Sequence, residues 1–193
     1  LPPKDQQSEI AELLWALDAK KESQSSLAKS ADTLLQVKSS NLIWGSQFQF
    51  EALRSFTDGS KLSFTDGDWI ESKDQAEDGI RLLQLADIGI GTFLDKSSKF
   101  ISDETFVRLK CHEIHEGDIL IARMPEPIGR ACVMPKLQKR AITAVDVCVM
   151  KVAESHDTSF VEFLLNSREF LQKANSLASG TTRQRVSRSN LEK

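Results

Sequence analysis

The sequence predicts an α+β fold in which one long coiled-coil-type helix precedes a mixed α/β domain. The first 40 residues contain no glycine, and their only prolines are Pro2 and Pro3. Nothing therefore interrupts a helix over Lys4–Lys38. The remaining residues alternate short apolar runs with turns that contain glycine and aspartate, which is typical of strands and short helices. We therefore expect a helical unit at residues 1–40 and one domain at residues 41–193, a usual size for a single domain.

The long helix carries an apolar stripe that needs a partner helix. Lys20 and Gln24 interrupt this stripe and are suited to fixing the register of a helix pair. A helix of about 35 residues is roughly 50 Å long, and an apolar edge of that length exceeds what a small domain can cover. We expect two copies of the chain to dimerise through this face; the alternative is a surface helix packed on its own domain. The stripe residues, spaced by three and four, are Ile10, Leu13, Leu17, Leu27, Ala31 and Leu34.

The domain that follows is predicted to contain short strands and helices. Ser39–Asn41 is expected to end the long helix, and Asp157 is a typical N-cap for a later one. Strands are expected at Lys61–Phe64, Ile80–Ile88, Ile119–Ala122, Ile128–Met134 and Arg140–Val152. Helices are expected within Ile43–Phe56, from Ser102 through Leu109, and from Asp157 to about Leu177. The tail after Ser179–Gly180 is polar and basic.

A proline-rich loop between two of these strands is flanked by arginines. Pro125 and Pro127 cannot donate to a sheet ladder, so the chain between the strands must form a stiff loop. Arg123 precedes the loop and Arg130 follows it, which holds two cations at a fixed height above a surface. Such an arrangement suits contact with phosphates or base edges. The alternative is a solvated hairpin with two ordinary surface arginines.

The charge of the chain is uneven, although its net value is only −3. Residues 41–118 carry 8 Lys and Arg against 15 Asp and Glu, whereas residues 119–193 carry 12 against 7. The second segment therefore permits one basic face on an otherwise acidic protein. No apolar run approaches the roughly 18 residues that span a membrane, and no apolar signal segment opens the chain. The sequence predicts a cytoplasmic protein with no membrane partner.

No strong motif for catalysis is present. The phosphate loop G-x-x-x-x-G-K-[ST] and the nucleophile motif G-x-S-x-G are absent, and the chain has no tyrosine. Cys111, His112 and His115 offer up to three metal ligands, but without a second ligand pair a polar turn is the favoured interpretation. Asp146 and Lys151 resemble a metal-dependent nuclease site only faintly, because no carboxylate stands beside the lysine. We expect a non-catalytic chain with no cofactor and no metal.

Three stretches resemble the specificity subunit of type I restriction-modification systems, and they occur in that family's order. Leu1–Ile10 resembles the L-P-P-x-x-E-Q-x-x-I entry to the family's long helix, with Gln6 where glutamate is common. Gly117–Arg123, followed by Gly129–Ala131, is similar to the strand-loop-strand of its target recognition domains. Gly180–Val186, followed by Ser189–Glu192, resembles the closing segment of such a domain. Together these stretches bracket nearly the whole chain.

The resemblance implies a protein that reads DNA sequence on behalf of other subunits. Full-length members hold two target recognition domains apart on two antiparallel helices, and each domain reads one part of a bipartite site. The methyltransferase subunits use S-adenosylmethionine and the restriction subunit uses ATP, so neither cofactor is expected here. With one helix and one recognition domain, the chain resembles a half-subunit or a fragment. The implied partners are double-stranded DNA, the methyltransferase subunits and, through them, the restriction subunit.

DNA contacts are expected from basic residues in the second half of the chain. Arginine suits the edges of guanine, lysine more often binds phosphate, and roughly half of the candidates should prove structural. The candidates are Arg123, Arg130, Lys136, Lys139, Arg140, Arg183 and Arg185. Two other interpretations remain open: the recognition domain of a fused restriction-methylation enzyme, and a helix-mediated scaffold that binds protein.

Overall fold

The computed structural model describes residues 2–43, 45 and 51–193. The chain divides into two compact units, a helical unit at Leu1–Ser46 and a globular unit at Gln47–Lys193. The helical unit is formed by α1, Lys4–Ile43. The segment in which a short helix was predicted lies partly outside the described residues, at Trp44 and residues 46–50; its last part, Leu53–Phe56, is a 3-10 helix.

Helix α1 is longer than the sequence suggested. It has 40 residues and continues through Ser39–Asn41, so the predicted end at that segment is wrong. Serine and asparagine disfavour a helix only mildly, and the next glycine in the chain is Gly45. In this single chain the predicted stripe is exposed, with Leu13 63% and Leu27 71% accessible to solvent. Among the described residues, no helix combines the length and apolarity that crossing a bilayer requires.

In its described part, the globular unit contains two sheets and four short α-helices, which confirms the predicted α+β class. The larger, antiparallel sheet has the strand order β1-β7-β4-β5, and the smaller has the order β3-β2-β6 with β2 and β6 parallel. The strands are β1 (Phe64–Asp66), β2 (Ile80–Leu83), β3 (Lys99–Ile101), β4 (Ile119–Ala122), β5 (Ala131–Val133), β6 (Ala141–Thr143) and β7 (Val147–Met150). The helices are α2 (Asp103–Leu109), α3 (Thr158–Leu165), α4 (Arg168–Ser176) and α5 (Arg188–Leu191).

Strand β4 occupies the predicted position and is buried on both faces. Ile119 and Ile121 pack in the core that includes residues of α3, α4 and the C-terminal segment. Leu120 and Ala122 point to the opposite face and pack in a second core with residues that include Leu83. Because successive side chains of a strand point to opposite faces, a strand covered on both sides must be apolar throughout. This explains the uninterrupted apolar run.

The single strand predicted at Arg140–Val152 is wrong, because the chain changes sheets within it. β6 pairs with β2 in the smaller sheet, whereas β7 lies between β1 and β4 in the larger one. Between them Val147 N donates to Ala144 O at 2.9 Å, which closes a tight turn. Gly67 lies against this turn, and a Cβ there would come within 2.2 Å of Ala144 O. The turn therefore couples the two sheets through a contact that only glycine permits.

The single helix predicted from Asp157 to Leu177 is also wrong, since it consists of α3 and α4. Asp157 does cap α3, as predicted, and Ser167 caps α4 by accepting from Phe170 N. Between the two, the side chain of Asn166 bonds both backbone groups of Ala131, accepting from its N–H at 3.0 Å and donating to its carbonyl at 2.9 Å. The break thus places an amide where it covers the edge strand β5, whose Ala131 N–H would otherwise lack an acceptor.

The remaining boundaries differ from the predictions by a few residues. The helix beginning at Ser102 is confirmed, and its cap accepts from Thr105 N at 3.1 Å. The strand predicted at Lys61–Phe64 lies instead at β1. The strand predicted at Ile80–Ile88 ends at Leu83, and a 3-10 helix begins two residues later, at Leu85. The strand predicted at Ile128–Met134 is reduced to β5 because Gly129, with φ +91, and Arg130 belong to the preceding loop.

Candidate nucleic-acid interface

The structure does not bring the seven predicted DNA contacts together. Arg123 and Arg130 lie at the end of the larger sheet where β4 finishes and β5 starts. Val186 binds the backbone of Arg123, so the segment that contains Arg183 and Arg185 comes to the same end. Lys136 follows β5 at the opposite end, where Met134 N donates to Asp118 O beside the start of β4. Lys139 and Arg140 lie next to β6 of the smaller sheet.

Arg123 is buried and connects three segments of the chain. Its guanidinium donates to Asp66 Oδ1 at 2.5 Å through Nη1 and to the carbonyl of Val186 at 2.9 Å through Nε. Its backbone N–H donates to Asp146 O at 3.0 Å. Only 8% of the residue is accessible to solvent. The prediction that Arg123 contacts DNA stays a prediction, but these bonds give the side chain a structural role.

Arg130 is buried as well, and it holds the proline-rich loop. Its guanidinium donates to the carbonyls of Pro125 at 2.7 Å, Ile88 at 2.8 Å and Leu85 at 3.0 Å. No carboxylate in the described part of the chain pairs with it, so its charge is compensated by carbonyl dipoles alone. Burial removes water from the guanidinium and thereby lowers the pKa of Arg130 from its ordinary value. Neither arginine is the surface residue that a solvated hairpin would carry.

Asp66 links Arg123 to the C-terminal segment. Its second oxygen accepts from Arg188 Nε at 3.1 Å, and Arg188 also pairs with Glu192, which lies 3.4 Å from Arg54. The sequence showed only a polar, basic tail here, whereas Val186 and Leu191 of that tail are buried in the core. Sequence reasoning placed Val186 in the closing segment but did not predict that either residue is buried. The signal was present in their apolar character within a polar tail.

Lys139 and Arg140 are neutralised by acidic residues near the smaller sheet. Lys139 pairs with Asp78 and lowers the pKa of that carboxyl. Arg140 lies 3.0 Å from Asp103 and 2.8 Å from Glu113, and its pKa is raised by these carboxylates, Glu113 foremost. Both cations would have to exchange a carboxylate for a phosphate in order to bind DNA. Such exposed ion pairs contribute little stability, so this exchange is feasible.

Lys136 and Arg183 differ from the other candidates. Both are exposed, and within the described residues neither makes a salt bridge. Arg185 is half-buried, and its Nη1 lies 3.2 Å from Asp146 Oδ1. The backbone N–H of Ser179 donates to Arg185 O, and that of Arg185 to Ser179 O, both at 3.0 Å. This pair of bonds closes residues 179–185 into a compact loop, here called the basic loop.

The metal-ligand interpretation gains no geometric support. Among the described residues, no group of three or more histidine, cysteine, aspartate and glutamate side chains is placed to hold a metal. Cys111 is buried, while His112 is exposed and its backbone N–H donates to Asp68 at 3.0 Å. These residues line a cavity of about 260 Å³ together with His115 and Lys151. Burial raises the pKa of Asp68 there, because the carboxylate is desolvated.

The chain has the fold of type I restriction-modification (R-M) specificity subunits. All of it matches a chain of a type I R-M system, from a structure that concerns complex assembly and conformational transition, with a TM-score of 0.62 and 16% identity. The HsdS subunit from Thermoanaerobacter tengcongensis matches over 99% of the chain, with a TM-score of 0.54 and 14% identity. The chain spans about half of each of these proteins, 47% and 49% of their lengths. No family model and no curated protein matches the sequence.

Proposed function

We propose that the chain is a DNA specificity subunit, whole or in part, of a type I R-M complex. In this role it directs methyltransferase subunits, and through them the restriction subunit, to a bipartite DNA site. The chain itself catalyses no reaction. The observation that carries the proposal is the match of 100% of the chain to a chain of a type I R-M system. A fold alone does not define a function, so the three resembling stretches of sequence supply the second, independent support.

The contacts described above divide the candidate residues by role. We assign Arg123 and Arg130 to holding the loops at one end of the larger sheet, because their donors are already used within the protein. Arg183 and Lys136 are assigned to direct DNA contact, because they are exposed cations without a carboxylate partner in the described part of the chain. They lie at opposite ends of the larger sheet, so we treat them as two separate contacts.

The bipartite site requires two recognition domains, and this chain supplies one. The exposed stripe of α1 supports a two-fold dimer of chains, which would place two globular units on a pair of helices. Read in heptads, Ile10, Leu17 and Ala31 fall at position a, while Leu13, Leu27 and Leu34 fall at position d. Gln24 and Lys20 fall at a and d in the middle, where polar residues restrict the register of a coiled coil.

Co-purification with candidate methyltransferase subunits tests the proposal. The assembled complex is incubated with S-adenosylmethionine and DNA of diverse sequence, and the methylated positions are mapped. Methylation at one split, symmetric motif is expected, and the methyltransferase subunits without this chain should leave that motif unmodified. A chain that neither assembles with methyltransferase subunits nor binds DNA at low salt would contradict the proposal and leave the helix-mediated scaffold.

A further inference from the structure

The basic loop, residues 179–185, carries a run of hydrogen-bond donors that no protein atom in the described part of the chain accepts. In the part of the chain that the structure describes, none of the five backbone N–H groups from Gly180 to Gln184 donates to a protein atom. The hydroxyls of Thr181 and Thr182 and the guanidinium of Arg183 likewise have no protein partner there. All five residues are exposed. Consecutive donors of this loop are therefore available to a ligand from solvent.

The electrostatic setting of the loop also favours an anion. No aspartate or glutamate occurs between residues 170 and 191, whereas Lys173, Arg183, Arg185 and Arg188 fall in that interval. Asp146 approaches the loop, but it is engaged by Arg185 at 3.2 Å and leaves Arg183 unpaired. An uncompensated arginine surrounded by free N–H groups attracts negatively charged oxygen atoms, as backbone nests do.

The shape of the loop is set before any ligand arrives. The two bonds between Ser179 and Arg185 close its base. The next residue, Val186, is fixed because its N–H donates to Arg123 O. Gly180 has φ +119, and a Cβ at this position would lie 2.5 Å from Arg183 O. Only glycine fits so close to that carbonyl, so the position of Arg183 depends on Gly180.

We propose that the basic loop binds a phosphate of the DNA backbone and thereby sets the position of the globular unit on the duplex without reading its sequence. This inference rests on the proposed function. Small residues with free backbone N–H groups suit a phosphate, which presents several acceptor oxygens at one point, better than a base edge, which needs side chains of defined reach. Arg183 supplies the counter-charge, and Arg185 and Asp146 are positioning residues.

The test compares binding of the wild type and four variants to random-sequence duplexes of about 30 base pairs over a range of salt concentrations, by fluorescence anisotropy. Arg183→Ala should weaken binding to every duplex by the same factor, roughly eightfold at about 0.1 M salt, because one phosphate contact contributes a salt slope of about 0.9. Arg183→Lys should retain most of the affinity, because a phosphate accepts a point charge whereas a guanine edge needs the arginine fork. Lys96→Ala, which removes an exposed cation elsewhere, is the matched control and should change little.

Gly180→Ala leaves the charge unchanged and should reduce affinity by displacing the loop. Losses confined to particular sequences, or an Arg183→Lys variant as weak as Arg183→Ala, would show base reading and overturn this inference while leaving the proposed function intact. Wild-type affinity in Arg183→Ala would overturn it in the same way. Failure of the wild-type chain to bind any duplex at low salt would instead overturn the proposed function, and the inference with it.

Discussion

Arg123 and Arg183 both belong to loops at one end of the larger sheet, and they differ in the acceptors around them. Arg123 meets a carboxylate and two backbone carbonyls, whereas Arg183 meets no protein acceptor in the described part of the chain. Removing Arg123 should therefore lower the stability of the fold, whereas removing Arg183 should leave it nearly unchanged. A buried ion pair that loses one partner leaves the other desolvated and uncompensated, while an exposed cation leaves only water.

Substituting these arginines should separate stability from binding. Arg123→Ala is expected to lower the free energy of unfolding by about 2–4 kcal/mol, somewhat below the full cost of breaking a buried pair because Asp66 retains Arg188 and is partly exposed. Arg183→Ala should stay within about 0.5 kcal/mol of the wild type, as surface substitutions usually do. Urea denaturation followed by circular dichroism measures both values. Equal stability of the two variants would contradict the structural role of Arg123.

Sequence reasoning at this scale found the right residue types but not their surroundings. The sequence shows directly that Arg123 lies beside a stiff loop. It does not show that Asp66, 57 positions earlier, pairs with this arginine, because the pairing depends on β1 and β4 flanking the same strand, β7. A charge pattern along the sequence carries no information on such a pairing, and for that reason exposed and buried arginines looked alike.

Among the elements, α1 combines a heptad seam with apolar residues outside it. Leu27 falls at position d, while Trp15 falls at position f on the opposite side, and both are about 70% exposed, at 71% and 70%. If α1 pairs with a second α1, the seam becomes buried and position f remains in solvent. The two residues thus form a matched pair for testing the proposed dimer.

Leu27→Lys should dissociate the dimer and Trp15→Lys should leave it intact. Removing a buried leucine costs about 2–5 kcal/mol, so the dissociation constant should rise at least tenfold, because about 1.4 kcal/mol corresponds to a factor of ten. Sedimentation equilibrium of the wild type and both variants measures this change. A wild-type chain that is monomeric at all concentrations, or variants that behave identically, would exclude pairing through the seam.

The elements also show why boundaries were harder to predict than the elements themselves. Ser102 and Asp157 were identified as caps because a cap depends on a local bond within three residues. The break between α3 and α4 depends on Asn166 reaching Ala131, a residue 35 positions away. Likewise Arg140–Val152 alternates as one strand would, and only the neighbouring strands decide where the chain leaves one sheet for the other.

At the scale of the whole molecule, the three cysteines are buried in three different cores. Burial raises the pKa of Cys111 to about 11 and that of Cys132 to about 12, and it raises that of Cys148 as well. Because the thiolate is the reactive form, all three should be inert in the folded chain. A thiol whose folded pKa is raised contributes stability below its unfolded pKa, near 9, and loses that contribution as the pH rises through the folded value.

Alkylation should report on global unfolding rather than on individual sites. At about pH 7.5 the native chain is expected to resist a maleimide reagent, whereas unfolding in guanidinium should expose all three thiols together. The free energy of unfolding should also fall as the pH is raised from about 9 towards 11. Mass spectrometry counts the modified cysteines. Rapid labelling of one cysteine in the native chain would show that its core opens locally.

In the described part of the globular unit, the segments at Leu53–Arg54 and Leu191–Glu192 lie side by side. Arg54 N donates to Glu192 O at 3.3 Å, and Leu53 and Leu191 share a core. Domains whose terminal segments lie close together usually tolerate circular permutation, because these segments can be rejoined without moving the core.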